Sequence, residues 1–146
     1  MVRTPEVISR LLLERAPWDA VDSEFERRIP FDSPHESAGL LQRMVAEGTA
    51  HVHRFIRNGE RIGLLVTRID DGNLGREFVC IAMFAETADG RPITAEIGRA
   101  CEALARAEGC TCMRFHTCRP AMARFAVEHF GYRVSEIVMR KTLSPL

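Results

Sequence analysis

Residues 51 to 69 of this 146-residue chain read HVHRFIR-NGE-RIGLLVTRI, two apolar and β-branched runs joined by Asn58-Gly59. The central residues of the tightest hairpin turn need positive φ, and Asn-Gly meets that need best, so the stretch predicts an antiparallel strand pair. EFVCIAMFA, residues 77 to 85, is apolar at successive positions and predicts a strand buried on both faces. ITAEIGRACEALARAEG follows with a helical period: Ile93, Ile97, Cys101 and Leu104 form the buried stripe, Glu96, Arg99, Glu102 and Arg106 the wet side, and Gly109 the stop. TCMRFHT, residues 111 to 117, reads as the next strand. A strand–helix–strand unit over 77–117 requires a right-handed crossover, which makes its two strands parallel. Few architectures hold both a tight hairpin and such a crossover. The expected class is α+β or α/β: a mixed, mostly antiparallel sheet with one parallel pair and helices on both faces.

The flanks are read from their caps. Thr4 and Pro5 mark a helix start, with Val7, Ile8, Leu11 and Leu12 sharing a face. Ser33, Pro34 and Glu36 form a capping box before Leu40, Leu41, Met44 and Val45, and that helix stops at Gly48. Between them PWDAVDSEFERRIPF is ambiguous, with a short helix across the core as one option. PAMARFAVEHFG reads as a helix from Pro120 to Gly131, and SEIVMRKTL, 135 to 143, as a last strand. There is no internal repeat, and the length predicts a single domain over 1–146, with 1–48 a helical N-terminal segment.

Composition narrows the function classes. Apolar residues at 46% and charged residues at 27% are those of an ordinary globular protein. The net charge is zero, so bulk electrostatics give no argument for nucleic acid or an anionic membrane. Residues 111 to 146 carry six basic and two acidic side chains, a modest asymmetry that reads as a solvated face. The N-terminus has charges throughout its leucine run, unlike a secretory leader, and FVCIAMFA is too short to span a bilayer. Five cysteines (80, 101, 110, 112 and 118) make an odd count, which fits reduced thiols and a cytoplasmic setting.

CTCMRFHTC invites a metal reading, but Cys112 and Cys118 on a straight strand lie ~20 Å apart, and zinc ligands must converge on one ion. No metal site is expected, and the thiols read as small buried hydrophobes. A His116–Cys118 nucleophile pair would be about 7 Å apart, too far for proton transfer. His51 and His53 read as ordinary edge-face residues.

The loop AETADGRPITAEIG, 85 to 98, joins a strand to a helix, where helix N–H groups and the helix dipole can hold phosphate. The order of elements here, with "GERIGLLVTRI", "LARAEGCTCMRF" and "AVEHFGYRV", resembles the GNAT superfamily of acyl-CoA-dependent N-acyltransferases over about residues 49 to 143. That resemblance implies acetyl-CoA as the cofactor, with the pantetheine arm in a splay between the strands of 77–85 and 111–117. It puts the strand end Phe84 and Ala85, and Gly90, Arg91 and Thr94 of the loop, at the cofactor. It also sets the family's pyrophosphate loop on DGRPIT, 89 to 94. There Asp89 replaces an Arg or Gln, Pro92 a Gly, and Thr94 a Gly or Ala: a charge, a lost donor and added bulk. The family's acid Tyr falls at Val127 and the Asn before it at Pro120. Glu86 and His116 are the remaining candidates for general base.

The chain is more closely similar to short GNAT-like proteins encoded by tailed phages among head and internal virion genes. The shared features are a helical N-terminal segment in place of the family's first strand, the GTAHV strand entry, the ARAEGC helix end and Arg119. The likeness implies a non-catalytic assembly, structural or binding protein, with other phage structural proteins or its own copies as partners and no nucleic acid or membrane. The alternatives are an active N-acetyltransferase acting on an amine and a regulatory module binding a small ligand.

Overall fold

A computed structural model describes residues 11–30, 39–73, 75–117 and 119–145. The chain divides into two compact units, Met1–His116 and Thr117–Leu146. In the first unit the elements are β1 (Leu11–Arg15), α1 (Ala20–Arg27), α2 (Leu40–Ala46), β2 (His51–Arg57), β3 (Glu60–Gly72), β4 (Gly75–Ala85), α3 (Thr94–Ala107) and β5 (Cys112–Phe115). The strands form one sheet in the order β1-β2-β3-β4-β5, antiparallel except for the parallel pair β4 and β5. The expected mixed sheet is therefore present.

Asn58 (φ 52°) and Gly59 (φ 76°) both take the left-handed conformation that the β2–β3 turn demands. β3 is the central strand, and every residue from Ile62 to Thr67 is buried. Its alternation splits the core in two. Leu65, with Phe55 and Phe78, packs against Ile93, which precedes α3, and against Ile97, Cys101 and Ala105 of α3. Leu64 and Val66, with Val52, pack on the other face against Leu41 of α2 and the partly buried Phe25 of α1. Helices thus cover both faces of the sheet.

α1 begins at Asp19, whose carboxylate accepts the Asp22 N–H while Asp22 returns a bond to the Asp19 N–H, a reciprocal capping box. The same two carboxylates grip the hairpin: Arg61 donates to Asp19 (2.7 Å) and to the fully buried Asp22 (2.6 Å), and Arg54 to Asp19 (3.1 Å). α2 starts at Gly39 with no side-chain cap of its own. Its orphan N–H groups are met from outside, by the buried Glu26 of α1, which accepts from Gly39, Leu41 (2.9 Å) and Gln42 (3.3 Å).

Three expectations are corrected. Residues 11–15 are a strand, not the end of a helix, so the N-terminal 48 residues are not all helical and the family's first strand is present. Leu11 and Leu13 turn to the α3 side of the sheet while Leu12 is 56% exposed, and the strand pairs along β2 from Leu11↔Arg57 to Arg15↔His53. Long-range ladder bonds outweigh the helical spacing of the leucines. β4 is buried on both sides only at Phe78 and Val79, because β5 covers only part of it. Among the described residues no strand follows α4 (Pro120–Phe130), where 135–143 was expected to form one. The caps at Thr4, Ser33 and Glu36, and Cys118, lie outside the described residues. In the second unit α4 begins with Pro120 and ends on left-handed Gly131 (φ 69°), as its sequence predicts. No described helix is long and apolar enough to cross a membrane.

Candidate functional site

The parallel ladder stops early. β4 pairs with β3 along its whole length, from Gly72↔Gly75 to Gly63↔Ala85, but with β5 only from Glu77↔Cys112 to Cys80↔Phe115. The break falls at a bulge: Val66 faces Ala82 and Thr67 faces Cys80, leaving Ile81 as the extra residue. The bulge at Ile81 and the last β4–β5 pair at Cys80 are therefore neighbours in sequence. Residues 81–85 therefore continue with β3 on one side and no β5 ladder on the other. Phe84 and Ala85 lie at this end, held tightly against β3. A Cβ on Gly63 would sit 1.8 Å from the Phe84 carbonyl oxygen, so only glycine fits there.

The following loop is bonded to itself. Gly90 N–H donates to the Thr87 carbonyl (3.1 Å), Arg91 N–H to the Asp89 carboxylate (3.0 Å), and the Thr87 hydroxyl to the Arg91 carbonyl (3.1 Å). Pro92 has no N–H. The bond from Arg91 N–H, reinforced by the Thr87 hydroxyl, holds the Asp89 carboxyl below its ordinary range. Asp89 thus takes the donor that a phosphate at this loop would need. α3 has no side-chain cap at Ile93, and its first internal bond is Ile97 N–H to Ile93 C=O (2.9 Å). This leaves Thr94, Ala95 and Glu96 N–H outside the helix ladder, but Glu96 adds a second carboxylate to the same turn. The residues at 89–94 fit a pyrophosphate poorly.

Glu86 follows β4 directly and extends the ladder through its N–H to the Ile62 carbonyl (2.9 Å). Its carboxylate is ion-paired with Arg28, whose guanidinium lies 4.6 Å from the centre of the Phe84 ring. Phe84 packs in turn against Phe25, ring centres 5.9 Å apart. One face of α1 therefore joins the strand end, and no local signal in the sequence announces it. His116 follows Phe115, the last residue of the β4–β5 ladder, and Glu86 follows Ala85, the last residue of β4. Arg91 is exposed and sits 3.7 Å from Asp89, and Gly90 turns through φ 69°.

The thiols of Cys80 and Cys101 are not activated. Burial pushes Cys101 up to about 12 and Cys80 higher still, so both stay protonated. Among the described residues no group of three His, Cys, Asp or Glu side chains converges as a metal site would require.

No protein-family model matches the sequence, and no curated protein matches it. Solved structures do match. An aminoglycoside acetyltransferase from an uncultured soil metagenomic sample, in complex with sisomicin, superposes with TM-score 0.62 at 12% identity, covering 92% of this chain and 97% of that one. An acetyltransferase from Trypanosoma brucei gives 0.60 at 18%, covering 91% and 99%. A transcriptional regulator from Bacillus halodurans gives 0.64 at 15%, covering 92% and 100%. The fold is that of the GNAT acetyltransferases.

Proposed function

We propose that this chain is a GNAT-fold protein whose pyrophosphate loop is closed by its own carboxylate, and that it serves as a binding or assembly protein and not as a transferase. The observation that carries this reading is the Asp89–Arg91 turn followed by Pro92. The turn removes one loop donor, the proline lacks another, and Asp89 sets a negative charge where an anion would lie. The resemblance to phage-encoded proteins suggests a virion as the setting, with other structural proteins or further copies as partners. Calorimetric titration with acetyl-CoA tests the reading: no heat is expected at millimolar ligand, and micromolar binding overturns it. For the assembly role, co-sedimentation with particles is expected, and a monomer found outside every particle and complex counts against it.

A second reading is favoured by one observation, the end of the β4–β5 ladder at Cys80. Strand residues 81–85 without a β5 partner supply the kind of opening a pantetheine arm requires. On this reading the protein is an acetyl-CoA-dependent N-acetyltransferase, with Glu86 or His116 taking the proton of an amine acceptor. Release of coenzyme A thiol in the presence of aminoglycosides and polyamines would support it, and no release at saturating acetyl-CoA would end it.

A further inference from the structure

At the opposite end of α3 the strands outrun the helix. α3 has 14 residues and spans about 21 Å, whereas the 13 residues of β3 extend about 43 Å. Beyond Leu104 and Glu108 α3 no longer covers this face of the sheet, and a cavity of about 300 Å³ opens there among the described residues. Its walls are alternate residues of four strands: Arg15, His51 and His53, Thr67, and Arg76. The apolar floor under α3 becomes polar at this point.

The floor is built and buried. His53 is 6% exposed and Thr67 2% exposed, and His53 Nε2 is hydrogen-bonded to Thr67 Oγ1 (3.2 Å). Burial, helped by the charge of Arg15, lowers His53 to about 4, so its ring is neutral at neutral pH. Arg15 Nη2 donates to His51 Nδ1 (2.8 Å), which leaves the His51 proton on Nε2. The other cations are pre-engaged. Arg68 is forked onto Asp70 (2.8 and 3.2 Å), and Arg76 lies 3.7 Å from Asp71. Among the described ion pairs Arg15 has none. Its hydrogen-bond partner is a neutral ring. Asp71 and Glu108 are the carboxylates in the lining.

We infer that this cavity binds a small carboxylic acid, its carboxylate forked on Arg15 beside Arg76, with His51 and the buried His53–Thr67 pair shaping the floor. A planar guanidinium matches a carboxylate in two parallel bonds. Neutral imidazole N–H and threonine hydroxyl groups add donors without charge. The volume is at the lower limit of small-molecule sites, which restricts the ligand to a few carbons. Glu108 on the rim favours an acid that also carries a hydroxyl or amino group. The site is separate from the strand end at Phe84 and stands whether or not that end binds acyl-CoA.

The test follows the imidazole resonances of His51 and His53 in 15N-histidine-labelled protein during titration with succinate and lactate up to about 10 mM, and with inorganic phosphate in parallel. Saturable shifts of both rings with a carboxylic acid are expected. Arg15→Gln is expected to weaken the effect at least tenfold, roughly the value of one charge-assisted contact, and Arg76→Gln less, with unchanged far-UV circular dichroism. Still rings in every titration overturn the inference. So does an unchanged affinity in a folded Arg15→Gln protein. Shifts with phosphate alone overturn the assignment of a carboxylic acid.

Discussion

The two ends of α3 solve the same problem in opposite ways. At its N-terminus the chain meets its own needs: Asp89 takes the Arg91 N–H, Thr87 takes Gly90, and proline removes a third donor. At its C-terminus the side chains of four strands surround a void, with an arginine hydrogen-bonded to a neutral ring. The sequence resemblance to GNAT proteins sets the anion at the first end. In this chain the loop donors of the first end are taken by its own groups, and the second holds an arginine outside every described ion pair. Location in a fold therefore says where a site can be, and the local hydrogen-bond accounting says whether one is there.

The comparison can be broken in four ways, in decreasing size of effect. Gly63→Ala forces a Cβ into the Phe84 carbonyl, and the cost is about 4 kcal/mol of stability by urea denaturation. An unchanged midpoint would mean that the β4 end is not held by this contact. Acid acts on the other end. Burial keeps the His53 proton off until pH falls to about 4, while the unfolded chain takes it near the ordinary 6.5. Between those values the unfolded state holds more protons, so stability is lost as pH drops, by up to ~3 kcal/mol. His53→Gln is expected to flatten that part of the pH–stability curve, and a slope that persists would assign it to other groups.

Asp89→Gln with Pro92→Gly restores the donor and removes the charge, so acetyl-CoA affinity is expected to rise at least tenfold, or ~1.4 kcal/mol, in calorimetry. No gain would locate the obstacle beyond the loop. Arg28→Ala, which deletes a half-exposed ion pair and the contact over Phe84, is expected to cost less than about 1 kcal/mol. A larger loss would show that α1 anchors the strand end more firmly than an exposed pair can.

Much of the fold was legible because its signals are local. Asn58-Gly59 specifies its own turn, and the 3.6-residue stripe of α3 and its Gly109 stop are written in consecutive residues. β1 was not legible. Its leucines suit a helix, and only the ladder to β2 decides otherwise. The site divides the same way. The resemblance set the pyrophosphate loop on 89–94 and proposed Phe84, Ala85 and Glu86 beside it, and the mismatch of Asp89 and Pro92 was visible in the sequence. Arg28 and Gly63 were missed because their roles arise across 58 and 21 residues of sequence. His51 and His53 read as ordinary strand residues, since nothing near them in sequence says that α3 ends short of β3.

The bonds from Glu26 to the start of α2 make that helix conditional. A seven-residue helix cannot nucleate by itself in water, and α2 has no cap of its own. Its first turn is completed by a carboxylate from α1, thirteen to sixteen residues earlier in the chain. α2 is therefore coupled to α1, which is itself tied to the hairpin through Asp19 and Asp22. Loss of the Glu26 carboxylate would leave the first N–H groups of α2 without their acceptor, so a lesion in α1 would be felt in its neighbour.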